Sequence, residues 1–297
     1  MKRVTFFLLL LIPFMWMSSC KSDQDNNNNG SDTTTVVKDN GVQTFFLVPS
    51  PEDVFGFADD QSLTFDKELL NPTENLSKYD NDIKLQEFNF GVYAADLAYS
   101  AAYSKNDETV QYLNTVRELS QDIGLSEVFN ESLINRIEHI SPEKDSLIAI
   151  SNDTYFDIIR YLERNDKPST LAIMAAGGWI ECMYLVVNLT DFDANNKTIQ
   201  QVADQKMIVS NLWKFLEQNQ NTPSVKSLME DFKNIVDIYN MLEVIVDETN
   251  APKTDNNEKI IVVGGHSKII ITAEQYANLK KVIVETRNKL TLNNVSL

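Results

Sequence analysis

Cysteine and histidine are almost missing from this chain of 297 residues, which has two of each. Two cysteines cannot make a disulfide scaffold, and two histidines leave little material for a metal site or for proton transfer near neutral pH. His139 and His266 belong to no His-Glu-x-x-His or Glu-x-x-His pattern, so zinc peptidase chemistry and carboxylate-bridged metal bundles have no support. The Gly-x-His-x-x-Glu motif that imelysin-like peptidases need is absent too. Basic residues are also short, 26 against 43 acidic, for a formal charge of −17. Polyphosphate binding needs the opposite balance, which argues against nucleic acid as a partner. Gly264-Gly265-His266-Ser267 is not followed by Gly-Lys-Ser/Thr and so is no phosphate loop. Neither a cofactor nor a metal follows from the sequence. What is plentiful is apolar material, 43% of residues, enough for a proper core.

The amino terminus reads as an address. Lys2 and Arg3 precede an apolar run from Val4 to Met17, interrupted by Pro13 and shorter than the ~20 residues of a membrane-spanning helix. Small residues follow, in Met17-Ser18-Ser19-Cys20, which resembles a bacterial lipobox. The resemblance implies a signal peptide over residues 1–19 and a lipidated Cys20; an ordinary signal peptide cut nearby is the alternative. One acyl chain anchors a protein marginally, and two or three anchor it durably, at ~0.8 kcal/mol per buried CH₂. Residues 20–44 read as lipidated cysteine and polar tether, low in complexity up to about Asn40 and with a reach of roughly 25 Å. Asp23 and Asp25 just after Cys20-Lys21 look like the export tag of surface lipoproteins, with periplasm-facing attachment as the other possibility.

From residue 45 to 297 the spacing predicts a single all-α domain, a multi-helix bundle with one small β-hairpin near the C-terminus. Pro49-Ser50-Pro51 opens a short helix, and Asn71-Pro72 marks a turn. Longer helices are expected over Ile83–Tyr103, Thr109–Ile123, Ser126–His139, Ser141–Arg164, Thr170–Leu189, Asn196–Asn219, Ser224–Thr249 and Ala273–Leu290. Gly124 is placed to stop the second of these. The hairpin is expected over 259–272, with two β-branched stretches flanking Gly264-Gly265.

Two of the predicted helices look alike. Gly91-Val-Tyr-Ala-Ala-Asp96-Leu-Ala-Tyr99 matches Ala176-Gly-Gly-Trp-Ile-Glu181-Cys-Met-Tyr184 at an offset of 85. Both place an acid three residues before a tyrosine. A duplicated helical hairpin would produce this, and so would chance likeness between two small-residue-rich helices. Gly91, Ala95, Ala98 and Ala102 share one face of the first, and Gly177-Gly178 thins the second. Glycine costs ~1 kcal/mol against alanine within a helix, so that pair calls for a close contact or a bound group. Asp96 and Glu181 are the candidate site. They could hold a cation or act as an acid–base pair, or each could be a buried acid satisfied by a tyrosine, a helix amino terminus or a basic side chain. With Tyr99, Gly177 and Trp179 they would line a ligand cleft between the two helices. Cys182, between Glu181 and Met183, has no evident histidine partner and reads as core.

Pro49-Ser-Pro51, the stretch Glu68-Leu-Leu-Asn-Pro-Thr-Glu-Asn-Leu-Ser-Lys-Tyr79, Asn89 to Tyr99, and Gly177-Gly-Trp-Ile-Glu181 resemble a family of uncharacterised helical lipoproteins of Bacteroidetes-type bacteria. The likeness covers about half the chain, and implies location and fold without a mechanism. The leading expectation is a lipid-anchored outer-membrane lipoprotein, non-enzymatic, whose acidic helical body is a scaffold or binds an envelope protein. A small-ligand-binding lipoprotein is the second, and a hydrolase-like enzyme using the buried carboxylates the third.

Overall fold

Asp82 begins the first long helix by accepting the Leu85 amide on its Oδ1 at 3.1 Å, and that helix, α1 (Ile83–Ala102), is one of the two on which the others are laid. The computed structural model describes residues 35–39, 42–46, 63–138, 144–246 and 267–292. Among them are eight α-helices, two short 3₁₀ helices and two separate pairs of strands. After α1 come α2 (Asn106–Asp122), α3 (Glu131–Glu138), α4 (Lys144–Arg164), α5 (Pro168–Leu189), α6 (Lys197–Gln218), α7 (Pro223–Asn240) and α8 (Ala273–Leu290). Gly124, at φ +75°, stops the chain after α2 in the left-handed conformation expected of it. Pro168 and Pro223 occupy first-turn positions of α5 and α7, where a missing N–H costs nothing. Thr272 and Gln275 form a reciprocal capping box at the start of α8.

The bundle and its small sheet are as the periodicity predicts, with local departures. The third helix begins at Glu131, after turns at 126–129, because Asn130 takes the Leu133 amide and sets the start. The helix expected to run to Thr249 stops at Asn240. Lys206 on α6 donates to the carbonyls of Tyr239, Asn240 and Leu242 and closes off the helix end. Beyond it the β-branched run at 244–246 turns to strand: β3 (Glu243–Val246) pairs antiparallel with β4 (Ser267–Ile270), Val244 facing Ile269. The second predicted hairpin strand thus finds its partner in 243–246, while Gly264-Gly265 and the stretch before it lie outside the described residues. At the end of the predicted tether and across its boundary at residue 44, β1 (Thr35–Asp39) pairs antiparallel with β2 (Val42–Phe46). The expected helix at Pro51, the lipobox and both histidines also fall outside the described residues.

Helices α1 and α5 are buried on nearly all sides and run side by side in the same direction. Three contacts fix that direction. Thr170 Oγ1 donates to Glu87 Oε1 at 2.7 Å, Gly91 lies against the backbone of Met174 and Gly178, and Asp96 adjoins Glu181. Each contact joins positions that the offset of 85 makes equivalent or nearly so. Around this pair α2 packs on α1 as α6 packs on α5, while α4 and α8 each touch both. The correspondence is weakest at α3, which has 8 residues where α7 has 18. α5 is apolar and long enough to cross a membrane, but 83% of its most apolar window is buried inside the protein.

The glycines explain the closeness of the pair. A Cβ on Gly177 would sit 1.9 Å from the Phe88 carbonyl oxygen, and one on Gly91 would sit 2.0 Å from that of Met174. Nothing comes nearer than 3.5 Å to a Cβ on Gly178. Gly177→Ala and Gly91→Ala therefore force two backbones apart and are expected to cost about 3 kcal/mol or more in urea unfolding. Gly178→Ala is expected to be neutral or to gain up to ~1 kcal/mol from helix propensity.

Candidate functional site

Because α1 and α5 are parallel and in register, Asp96 and Glu181 are brought to the same level and face each other, both 0% exposed. The side chain that answers them comes from α8. Arg287, 2% exposed, donates from Nε to Glu181 Oε2 at 2.8 Å and from Nη2 to Glu181 Oε1 at 2.7 Å. This two-pronged pairing suits a planar guanidinium and a planar carboxylate. Nη2 also reaches the Leu69 carbonyl at 3.3 Å, and the guanidinium lies 4.2 Å from the centre of the Tyr184 ring. Burial works against the Arg287 charge, but the Glu181 carboxylate and its hydrogen bonds outweigh it and hold the guanidinium above its ordinary range.

Two acids thus share one cation. Asp96 Oδ2 accepts the Asn71 amide at 3.0 Å, whereas no N–H or O–H of a neighbour reaches Oδ1. The Asp96 carboxyl adjoins that of Glu181, and two adjoining carboxyl groups can hydrogen-bond each other only with a proton between them. Burial first, and the Glu181 charge second, push the Asp96 carboxyl well above its usual range, against the pull of Arg287 and of the Asn71 amide. Two buried acids beside one guanidinium, with Glu181 taking both of its prongs, favour a neutral Asp96 next to a neutralised carboxylate.

Residues 63–82 close the group over. Two 3₁₀ turns, Lys67–Leu69 and Thr73–Lys78, flank Asn71-Pro72, and Asn71 is the hub. Its amide goes to Asp96, its carbonyl accepts Tyr112 Oη at 3.0 Å, and its side chain meets Tyr79, Asn89 and Asn75. Tyr93 Oη donates to the Pro72 carbonyl and Tyr79 Oη to the Thr291 carbonyl. Burial raises these phenols, Tyr79 to about 12 and Tyr93 and Tyr112 further, so they serve as neutral donors.

The other residues expected in a cleft point elsewhere. Tyr99 Oη accepts the Asp66 amide at 3.0 Å, and its ring stacks on Phe65. Gly177 is spent on the contact with Phe88. Trp179 lies among Phe232 and Tyr239, with Nε1 donating to Gln205 at 3.0 Å. The small-residue faces that suggested a ligand cleft are used for helix contact. Cys182 is buried, as a core residue is. Among the described residues no three histidine, cysteine or acidic side chains cluster as metal ligands would. One pair imitates a hydrolytic dyad: Lys84 Nζ lies 3.1 Å from Ser227 Oγ. Nζ donates to that oxygen and to Asp231, so Ser227 faces an N–H donor instead of a base.

Arg287 is the residue that sequence reasoning missed. In the last turn of α8, beside Lys289, it passes for a surface cation at a helix carboxyl end. The available signal was its phase, since Ile283 and Leu290 lie four before and three after it on the same face, and both are buried.

No protein-family model, curated protein or solved structure matches this chain.

Removing the guanidinium leaves a buried carboxylate uncompensated. Arg287→Met is expected to cost about 3–5 kcal/mol in urea unfolding, and Glu181→Gln combined with Arg287→Met to recover part of that loss. Arg287→Lys is expected to fall between wild type and Arg287→Met, because one ammonium cannot reproduce the fork.

Proposed function

We propose that the protein is a lipid-anchored component of the bacterial cell envelope whose helical body is a scaffold or partner-binding module, not a catalyst. The observation that carries the non-catalytic part is the closure of Asp96, Glu181 and Arg287. Both acids are fully buried, and Glu181 is engaged by two guanidinium N–H groups. A general acid or base must reach its substrate within hydrogen-bond distance, and here no substrate could without displacing the segment that carries Leu69 and Asn71. The ligand-cleft reading is not favoured, because Gly177 and Trp179 face away from the acids.

The anchor is supported by the order of residues before the body: a basic start, a short apolar run, then Met17-Ser18-Ser19-Cys20 and a polar segment. An acidic body is repelled by anionic lipid, so attachment falls to the acyl chains on Cys20. Asp23 and Asp25 favour the outer face of the outer membrane. The resemblance to helical lipoproteins of Bacteroidetes-type bacteria agrees with this reading. The segment 68–79 that carries part of it is the one that covers the carboxyl pair.

Two measurements test the proposal. Labelled palmitate is expected to enter the wild-type protein and not Cys20→Ser, and the variant is expected to leave the membrane fraction; equal labelling of both overturns the anchor. In a thermal-shift screen with divalent metals and metabolites, no shift is expected that Asp96→Asn or Glu181→Gln abolishes. Such a shift would return the carboxyls to a binding or catalytic role.

A further inference from the structure

The carboxyl pair has a property that neither the anchor nor the scaffold uses. One proton is shared inside a buried group that has a single cation, beneath a segment without a regular helical ladder. We propose that Asp96, Glu181 and Arg287 form a proton-operated latch on residues 63–79, in which the proton between the carboxyls fastens the segment and its removal by base releases it.

With the proton present every group is matched. Asp96 O–H donates to Glu181, Asp96 Oδ2 accepts the Asn71 amide, and the one remaining negative charge meets Arg287. A base in solvent takes that proton, the Asp96 O–H bond breaks, and its electron pair stays on the carboxylate. The pair now carries two negative charges against one guanidinium. The charged and titratable groups facing Asp96 come from five directions. They are Tyr93 on α1, with Tyr99 a turn away and turned toward Asp66, Glu181 and Tyr184 on α5, Tyr112 on α2, Arg287 on α8, and, beside Glu181 and Arg287, Tyr79 on the covering segment. Burial keeps the phenols neutral, so none offsets the new charge. The second carboxylate then needs water.

Which element yields follows from how each is held. α1 and α5 meet backbone to backbone at Gly91 and Gly177 and cannot slide apart without losing that seam. Residues 63–79 contain two short 3₁₀ turns, meet the charged group through single hydrogen bonds at Leu69 and Asn71, and are otherwise held by side-chain hydrogen bonds such as those of Tyr93, Tyr112 and Tyr79, with no backbone seam of that kind. Both Lys67 and Lys78, at the outer ends of those turns, are exposed. The direction with pH is fixed by linkage. The folded state holds the Asp96 proton more tightly than the unfolded chain does. The stabilisation is complete below the ordinary carboxyl value, about pH 4, and is lost as pH rises through the raised one.

Hydrogen exchange read by mass spectrometry on the full-length protein, from about pH 5 to about pH 10, tests the latch. After correction for base-catalysed intrinsic exchange, protection over residues 63–79 is expected to fall roughly tenfold or more with rising pH, while α6 and α7 keep theirs. In Asp96→Asn the amide donates to Glu181 and still accepts from Asn71, so the same residues are expected to hold a constant protection. Equal falls in wild type and Asp96→Asn, or no fall in wild type, overturn the latch. A measurement that needs no variant stands beside it. With carboxyl-labelled aspartate, the Asp96 ¹³C resonance is expected at its protonated position at pH 7 and to move to the ionised position only at higher pH. An ionised Asp96 at that pH also overturns it.

Discussion

The backbone contact of α1 with α5 at Gly91 and Gly177 decides where everything else can go. A carbonyl oxygen stands where a Cβ would be on each helix, so the two axes come closer than side chains normally permit. Running in one direction and in register, they carry equivalent positions to equal heights. Two acids, Asp96 five residues past Gly91 and Glu181 four past Gly177, are thereby pressed against each other. An antiparallel pairing on the same glycines would have set Asp96 and Glu181 roughly 13 Å apart along the seam. Their encounter is thus a product of the seam, and the rest of the interior has to accommodate it.

The accommodation draws on three other parts of the chain. α8 supplies Arg287 from its apolar stripe, α2 supplies Tyr112, and residues 63–82 supply Asn71, with both backbone polar groups and the side chain committed. Tyrosine is the general fastener here. Besides Tyr79, Tyr93 and Tyr112, the Tyr239 hydroxyl donates to the Val202 carbonyl and that of Tyr276 to the Thr190 carbonyl. Each phenol reaches from one element to a backbone carbonyl of another, and so meets the requirement that buried polar groups be paired.

The helices were legible because period 3.6, caps and stop residues are local properties. Gly124, Pro168 and Thr272 stand at boundaries the chain announces itself. The importance of Asp96 and Glu181 was legible as well, since acids in such apolar helices need a reason. What lay beyond the sequence was relational. That Gly177 meets Phe88, that Trp179 turns toward Gln205, and that Arg287 faces inward depend on which helices are neighbours, and a periodic pattern does not specify that. The tail of the seventh helix failed for a different reason. Leu242-Glu-Val-Ile-Val246 fits a helical stripe or a strand, and the Lys206 ammonium on the preceding carbonyls settles the competition.

Lys206 belongs to α6, as does Gln200, whose side-chain amide donates to the Ile269 carbonyl on β4. The two side chains therefore grip the little sheet at both of its strands: one at the entry to β3, the other on the outer rim of β4. Although β3 follows α7 directly in the chain, it is mechanically a passenger of α6. Any tilt of α6 would be carried into the sheet as a lever carries its load, with the short link at Met241 and Leu242 acting as the pivot.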